Sequence, residues 1–360
     1  MTTDTELTRA LSEHLSQVAV PPADLVPVQR RGRALRMRRR LASTGAVAAV
    51  GVLAAGLVVT SPWDRGPGRS PSEEYAALGA LDLTEGLRAY ADPGGVISLG
   101  GREFPGDQLD YLDTDAAATP YGVVFFDSRG RPQLLSADGT VQGLWDGPSD
   151  GGRGFHPTAK VDAVLPHVAY AVIEGEQVTL VVQDLATGDV VATRDLECTG
   201  DCQDVVVDGI DSGAVFVRTE TGTWRWGYER DDDWLQLAGR DTRVADVRNG
   251  VVLYDGPAPT LPPGSWRYVA GAIDAQLSYD GSHILYWSPR LRPTGEGKPW
   301  TLDVPRGTTF FTFDTDGSVL AATVGSPARF FDCELPSGDC EEIGQLRMTG
   351  GDPMFMGDDM

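Results

Sequence analysis

The sequence predicts an all-β chain, a β-propeller of six blades with seven as the variant, behind a single N-terminal transmembrane helix and a short cytoplasmic helix. Three observations lead there. Leu41 to Thr60 contains no charged residue and directly follows seven arginines between Arg30 and Arg40. Helical periodicity stops after residue 75. Beyond it, short apolar strands led by glycine or histidine recur at spacings of 31 to 46 residues.

The chain reads in order as follows. Residues 5–19 place Leu7, Leu11, Leu15 and Val18 at helical spacing, one apolar stripe over about four turns. Pro21 and Pro22 end that helix. A cytoplasmic segment of residues 1–40 with a single amphipathic helix cannot enclose a core, so Leu7, Leu11 and Leu15 are candidates to bind a partner. The segment 41–60 has the length that spans a hydrocarbon core of about 30 Å. Arg30, Arg31, Arg33, Arg36, Arg38, Arg39 and Arg40 precede it and Asp64 is the first charge after it, so the positive-inside rule keeps the N-terminus in the cytoplasm and sends the rest across. The competing reading is a cleaved signal peptide, but its leader would be long and no A-x-A-like site follows the apolar run. Gly51 and Ala55 have small-xxx-small spacing, which in so Ala/Gly-rich a segment is expected by chance. Residues 61–89 form a linker that opens rich in Pro, Gly and Ser.

Residues 90–347 carry the repeat. The recurring strands are GVVFFD from Gly122, HVAYAVI from His167, GAVFVRT from Gly213, GVVLYDG from Gly250, GSHILYW from Gly281 and GSVLAAT from Gly317. Each is followed by further short strands and a D-G, T-G or S-G turn, and a unit of about forty residues with four short strands is a propeller blade. The nearly continuous apolar strand is read as the inner strand, packed on both faces by neighbouring blades. GGVISLGGREF from Gly94 is one further hairpin, able to close the ring with strands from the other chain end or to start a seventh blade. The tail 348–360 lacks a strand pattern and is expected to be disordered.

Charge narrows the partners. The chain has 30 basic and 52 acidic residues; residues 1–61 carry eight arginines against four acids, leaving a net of −26 on residues 62–360. An exported domain so acidic repels phosphate backbones, which argues against nucleic acid. The four cysteines form two local pairs, Cys198 with Cys202 and Cys333 with Cys340, each across a Gly-containing turn. Two disulfides suit that spacing and an oxidising compartment. One zinc site from all four thiols is the competing reading, although neither pair has C-x-x-C spacing.

Chemistry-bearing motifs are sparse. No nucleophile elbow, metalloprotease helix, dinucleotide fingerprint or P-loop is present, and no cofactor is implied. His167 and His283 begin apolar strands and could face an axial channel, although a turn role is the commoner one. Asp314-Thr315-Asp316-Gly317 begins like a calcium loop but lacks its later ligands and aligns with Tyr279-Asp280-Gly281, so a repeated β-turn explains it better. Asp231, Asp232 and Asp233 read as a solvated turn. Trp224, Trp226 and Tyr228 alternate, which puts them on one strand face, either packed between blades or exposed as an aromatic platform.

LSYDGSHILYW (Leu277–Trp287) and FDTDGSVLAATV (Phe313–Val324) resemble the strand–D-G–strand signature of bacterial WD-repeat-like and TolB-like propellers. True Trp-Asp dipeptides at blade ends are missing; Trp145-Asp146 is a loose echo. The anchor, Arg-rich leader and exported propeller together resemble bitopic proteins of high-GC Gram-positive bacteria, some of which hold sigma factors. This chain has no cysteine before the anchor and so lacks the zinc motif of the best-known anti-sigma domains. The resemblance implies a binding head outside the membrane and a regulatory contact, such as a sigma factor, inside. An exported propeller hydrolase or lyase acting on an envelope substrate is the alternative, since fold does not decide function.

Overall fold

Strands of two to eight residues joined by tight turns cannot bury both faces of their sheets alone; each sheet has to lie between two others. The computed structural model describes residues 86–92, 96–105, 116–127, 129–136, 138–147, 158–175, 177–197, 205–229, 233–259, 266–271, 275–348 and 353–355. The helix over 5–19 with Leu7, Leu11 and Leu15, the transmembrane helix over 41–60, Cys198, Cys202, His14, His156, Asp231 and Asp232 lie outside the described residues. Among the described residues no helix is long and apolar enough to cross a membrane.

These residues form seven small sheets, six of four strands and one of three. Blade 1 joins Met354–Phe355 to Tyr90–Ala91, Val96–Leu99 and Arg102–Pro105. Blades 2 to 7 follow along the chain, their first strands being Ala117–Thr119, Ala159–Val161, Val206–Asp211, Arg243–Arg248, Gln276–Leu277 and Thr308–Phe313. Seven apolar clusters each bridge two successive blades. They centre on Ile97 with Phe125, Phe126 with Tyr170, Val182 with Trp226, Phe216 with Val252, Leu253 with Ile284, Leu285 with Phe331, and Phe330 with Tyr90. The last seam returns to blade 1, so the ring is closed.

The blade count therefore corrects the six favoured by the repeat. The blade that the repeat did not count, blade 1, is split between the two ends of the chain, and its two inner strands are two residues long, too short to show any period. Tyr90 pairs with Phe355 and Ala91 with Met354. The propeller thus runs past residue 347 to Phe355, where a disordered tail was expected. Phe355 sits edge-on to Phe330, and Tyr90 stacks on the same ring at 3.9 Å. A second correction concerns strand order. The apolar strands that define the repeat are the second strands of blades 2 to 7, not the inner ones. A second strand has hydrogen-bonded neighbours on both edges and blades on both faces, and Gly122–Phe126 and Val319–Thr323 are buried along their whole length. The outer strand Cys340–Leu346 instead exposes much of its length.

Turn chemistry accounts for the repeated D-G dipeptides. Asp138 accepts the Thr140 amide at 2.9 Å, Asp280 that of Ser282 at 2.9 Å and Asp316 that of Ser318 at 2.9 Å. The glycine of each dipeptide then takes a positive φ, for instance 66° at Gly281. The Asp314–Gly317 segment is thus a β-turn, as its alignment predicts.

Blade 5 departs from the pattern. Its third strand, Arg267–Ala270, runs parallel to the second, Val251–Asp255, where every other blade described makes a hairpin. Four antiparallel strands return the chain to the face from which the next blade starts; three would leave it on the wrong face. The parallel third strand restores that parity. The connection carries Pro257, Pro259, Pro262 and Pro263, which supply no amide donor and disfavour pairing as a strand. In blade 7 the outer hairpin holds Cys333 opposite Cys340, bonded as a disulfide with Cα atoms 4.0 Å apart. This is the predicted pairing across a turn.

Candidate ligand site on the propeller axis

First strands sit where seven blades converge, and those of blades 2, 3 and 6 are only two or three residues long. Ala116, Ala117 and Ala118 of blade 2, and Ala159 and Lys160 of blade 3, line one axial cavity. Asp246 and Arg248 of blade 5, Gln276 and Tyr279 of blade 6, and Thr312 of blade 7 line the rest. The methyls of Ala116 and Ala118 pack in the seam of blades 1 and 2 and those of Ala117 and Ala159 in the seam of blades 2 and 3, so the side chains of polar character come from blades 3, 5, 6 and 7.

The polar side is ordered by its own contacts. Asp246 and Arg248 are two residues apart on a strand and share a face. Asp246 accepts the amide of Val247 at 2.7 Å through Oδ1 and that of Leu277, on blade 6, at 2.8 Å through Oδ2. Its Oδ1 lies 3.3 Å from Arg248 Nε, close enough to attract the charge but off the N–H direction, since Nε and Nη1 of Arg248 are buried and meet no hydrogen-bond acceptor. The guanidinium lies 4.5 Å over the Tyr279 ring. Burial alone would pull its pKa down, but Asp246 and Tyr279 offset that and hold it above its ordinary value. Burial likewise raises the Tyr279 hydroxyl, against the pull of Arg248. Thr312 donates to Gln276 Oε1 at 3.0 Å, which orients that amide.

Between blades 3 and 5, Asp208 of the first strand of blade 4 is buried. Burial pushes its carboxyl up to about 6, although Arg218 and Lys160 oppose the shift. Its Oδ1 accepts from Arg218 at 3.3 Å, while Oδ2 has no partner.

Other acidic residues fasten one blade to the next. Asp162 accepts the amide of Ser212 at 3.0 Å, across the seam from blade 3 to blade 4. Asp211 accepts the Gly250 amide at 2.9 Å and the Trp266 indole at 3.1 Å, from blade 4 to blade 5. Asp314 accepts the amides of Leu87 at 2.7 Å and Arg88 at 2.9 Å, from blade 7 to blade 1. Burial raises the Asp314 carboxyl despite these donors. These aspartates end first strands, so the position that reads in sequence as an acidic turn serves as a tie between blades.

The sequence candidates fall elsewhere. Trp226 and Tyr228 are buried in the seam of blades 3 and 4. Trp224 is half-buried and stacks on Trp234 at 5.3 Å, with Arg194 4.6 Å over the Trp234 ring. His167 and His283 begin second strands and do not line the cavity. His167 Nδ1 is 2.8 Å from the Tyr228 hydroxyl, and His283 Nδ1 is 2.7 Å from Ser282 Oγ. Among the described residues no three His, Cys, Asp or Glu side chains converge as a metal site. Asp246 and Arg248 were not singled out from sequence. The signal available was a charged i, i+2 pair inside a strand that directly precedes a Gly-led apolar strand.

No protein-family model and no curated protein matches the sequence. Among solved structures the chain is similar to TolB from Acinetobacter baumannii, at 12% identity and a TM-score of 0.39, covering 74% of this chain and 64% of TolB. It therefore spans just under two thirds of that protein. It is also similar to the acylaminoacyl peptidase of Pyrococcus horikoshii, at 9% identity and a TM-score of 0.39 over 64% of this chain and 44% of that one. A gluconolactonase of Xanthomonas campestris shares 14% identity at a TM-score of 0.30, over 66% and 76% of the two chains. These likenesses assign no activity.

Proposed function

We propose that this is a single-pass membrane protein whose seven-bladed propeller lies outside the cytoplasm and binds a ligand or protein partner. The stripe of Leu7, Leu11 and Leu15 meets a cytoplasmic regulator, such as a sigma factor. The observation that carries the membrane part is the run of seven arginines before the uncharged residues 41–60, followed by a domain of net charge −26. The binding role is supported by how the propeller spends its charged groups. Asp162, Asp211 and Asp314 are committed to backbone amides of the next blade, and the axial cavity is lined by the guanidinium of Arg248, stacked on the Tyr279 ring, with Gln276 and Thr312. Such a wall recognises a bound group; it is not arranged as a nucleophile with its base.

Topology and partner are tested together on the full chain. Protease added to intact, wall-stripped cells should remove the propeller and leave a small N-terminal fragment; a mature protein beginning near residue 60 contradicts the anchor. Affinity capture of the full-length protein should recover a sigma factor or another identified regulator, and Leu11→Asp should abolish it. Turnover of a wall glycan or peptide by the purified protein, with no such partner, favours the exported enzyme instead.

A further inference from the structure

We propose that one end of blade 3, carrying Val164, Leu165, Val190 and Val191, docks a basic segment of a protein partner that also brings aliphatic side chains. This deepens the binding role proposed above and rests on it. Seven large apolar side chains are exposed among the described residues, and four of them lie at this end: Val164 at 71%, Leu165 at 37%, Val190 at 46% and Val191 at 43%. Single exposed apolar residues are ordinary, whereas a group of them in one place marks a contact surface. The topology puts the four together. Leu165 lies two residues before His167, which pairs with Asp184, and Val190 follows the turn that Asp184 opens. The Leu185 amide joins the two segments by donating to the Pro166 carbonyl at 2.7 Å. Asp162 holds the loop as well. Its Oδ1 accepts the amides of Val164 at 2.8 Å and Leu165 at 2.9 Å, while its Oδ2 accepts that of Ser212 on blade 4. Val164 and Leu165 are thus presented on a fixed turn, which a partner does not have to order on binding.

Charge decides between partners. Residues 159–197 of blade 3 carry seven acidic and two basic side chains, and residues 206–238 of blade 4 carry seven and three. Residues 243–301, spanning blades 5 and 6, carry five acidic and six basic ones. The negative field is therefore stronger on blades 3 and 4. Acidic side chains also flank the patch itself. Asp189 is exposed directly before Val190, and exposed Glu229 follows Tyr228, whose hydroxyl lies 2.8 Å from His167. Such a field attracts a cationic segment, and it repels both a second copy of this chain and an anionic lipid surface. Trp287, 56% exposed on near-neutral blade 6, lacks that field and serves as an internal control.

The test is a titration of the purified full chain with a labelled synthetic peptide of alternating lysine and leucine, read by fluorescence anisotropy at low and at physiological salt. Binding should saturate and weaken as salt rises. A peptide with serine in place of each leucine, and one with glutamate in place of each lysine, should not bind. The double variant Val164→Ser, Leu165→Ser should weaken the lysine–leucine peptide by roughly tenfold or more, since two aliphatic contacts are lost. Asp189→Asn should weaken it roughly two- to threefold and flatten its salt dependence. Both variants change exposed side chains and keep the Asp162 bonds, which go to backbone amides, so the melting temperature should stay that of the wild type. Trp287→Ser should leave binding unchanged. An equal loss from Trp287→Ser, equal binding of the serine peptide, or no saturable binding overturns the surface. Attachment to phosphatidylglycerol vesicles that depends on Val164 and Leu165, or self-association that the double variant abolishes, also overturns it, because each names a different occupant. Failure of the surface and failure of the regulatory reading are separable. A silent titration with Leu11-dependent capture overturns the surface alone, and peptide binding without a captured regulator overturns only the cytoplasmic role.

Discussion

The seams at blades 3/4 and 7/1 use the same devices and differ in what stands behind them. At 3/4, Trp226 and Tyr228 pack on strands of eight residues, and Asp162 ties blade 3 to Ser212. At 7/1, Tyr90 and Phe355 pack on Phe330, and Asp314 ties blade 7 to Leu87 and Arg88. There, however, the strands contributed by the two ends are two residues long and belong to distant parts of the sequence. Where long strands and local hairpins fix a seam, an aspartate tie is one contact among many. At the closure the tie and one aromatic cluster replace chain continuity, so equal chemistry carries unequal weight.

That difference can be broken most severely by deleting residues 353–360. The first blade loses its inner strand, and Phe330 loses the ring of Phe355, itself worth about 3–5 kcal/mol when buried. Thermal melting should fall by roughly 10 °C or more. An equivalent loss is not expected from Trp224→Ala, whose half-buried ring lies outside the buried core of the 3/4 seam.

Asp314→Ala against Asp162→Ala sharpens the comparison. Removing Asp314 strands two amides at a buried junction and should cost about 2–4 kcal/mol in denaturant unfolding. Asp162 also caps Val164 and Leu165, but those amides lie in a loop open to water, so its loss should cost about 1–2 kcal/mol. Equal costs would remove the argument that closure depends more on its tie.

A smaller effect is set by pH. Asp208 has its pKa raised in the folded state, mainly by burial, so the folded chain holds a proton that the unfolded chain has released. The stability it contributes is fully present below its unfolded value near 4 and is lost as pH rises through about 6. Asp208→Asn should therefore match the wild type near pH 4 and exceed it above pH 7 by about 2–3 kcal/mol. A constant difference across that range contradicts the account. Comparing the two proteins cancels the opposite trend from Asp127, Asp138 and Asp280, whose carboxyls their hydrogen-bond donors hold low.

What the sequence made legible follows from these seams. The second strands announce themselves because both faces are buried, as in Gly122–Phe126, and the D-G turns because only a short acceptor followed by glycine makes them. The Cys333–Cys340 bridge was readable from its turn. The closing hairpin from Gly94 was readable as one able to pair with the other chain end, but its partner was not, since two residues such as Met354–Phe355 carry no alternation among the glycines around them. Blade 5 hid its parallel strand behind a proline-rich connection that reads as a loop. The axial site was hidden for a different reason. Asp246 and Arg248 look like surface residues of an outward-facing strand until the ring brings Tyr279, Gln276 and Thr312 beside them.

Closure through blade 1 is measured most directly by native-state hydrogen exchange, followed on peptides covering residues 86–91, 353–355 and 178–183. The two terminal peptides should open together, with the same dependence on denaturant and a free energy close to that of the 3/4 seam. Complete exchange of residues 353–355 within seconds, while residues 86–91 and 178–183 stay protected, would show that the ring does not close through Met354–Phe355.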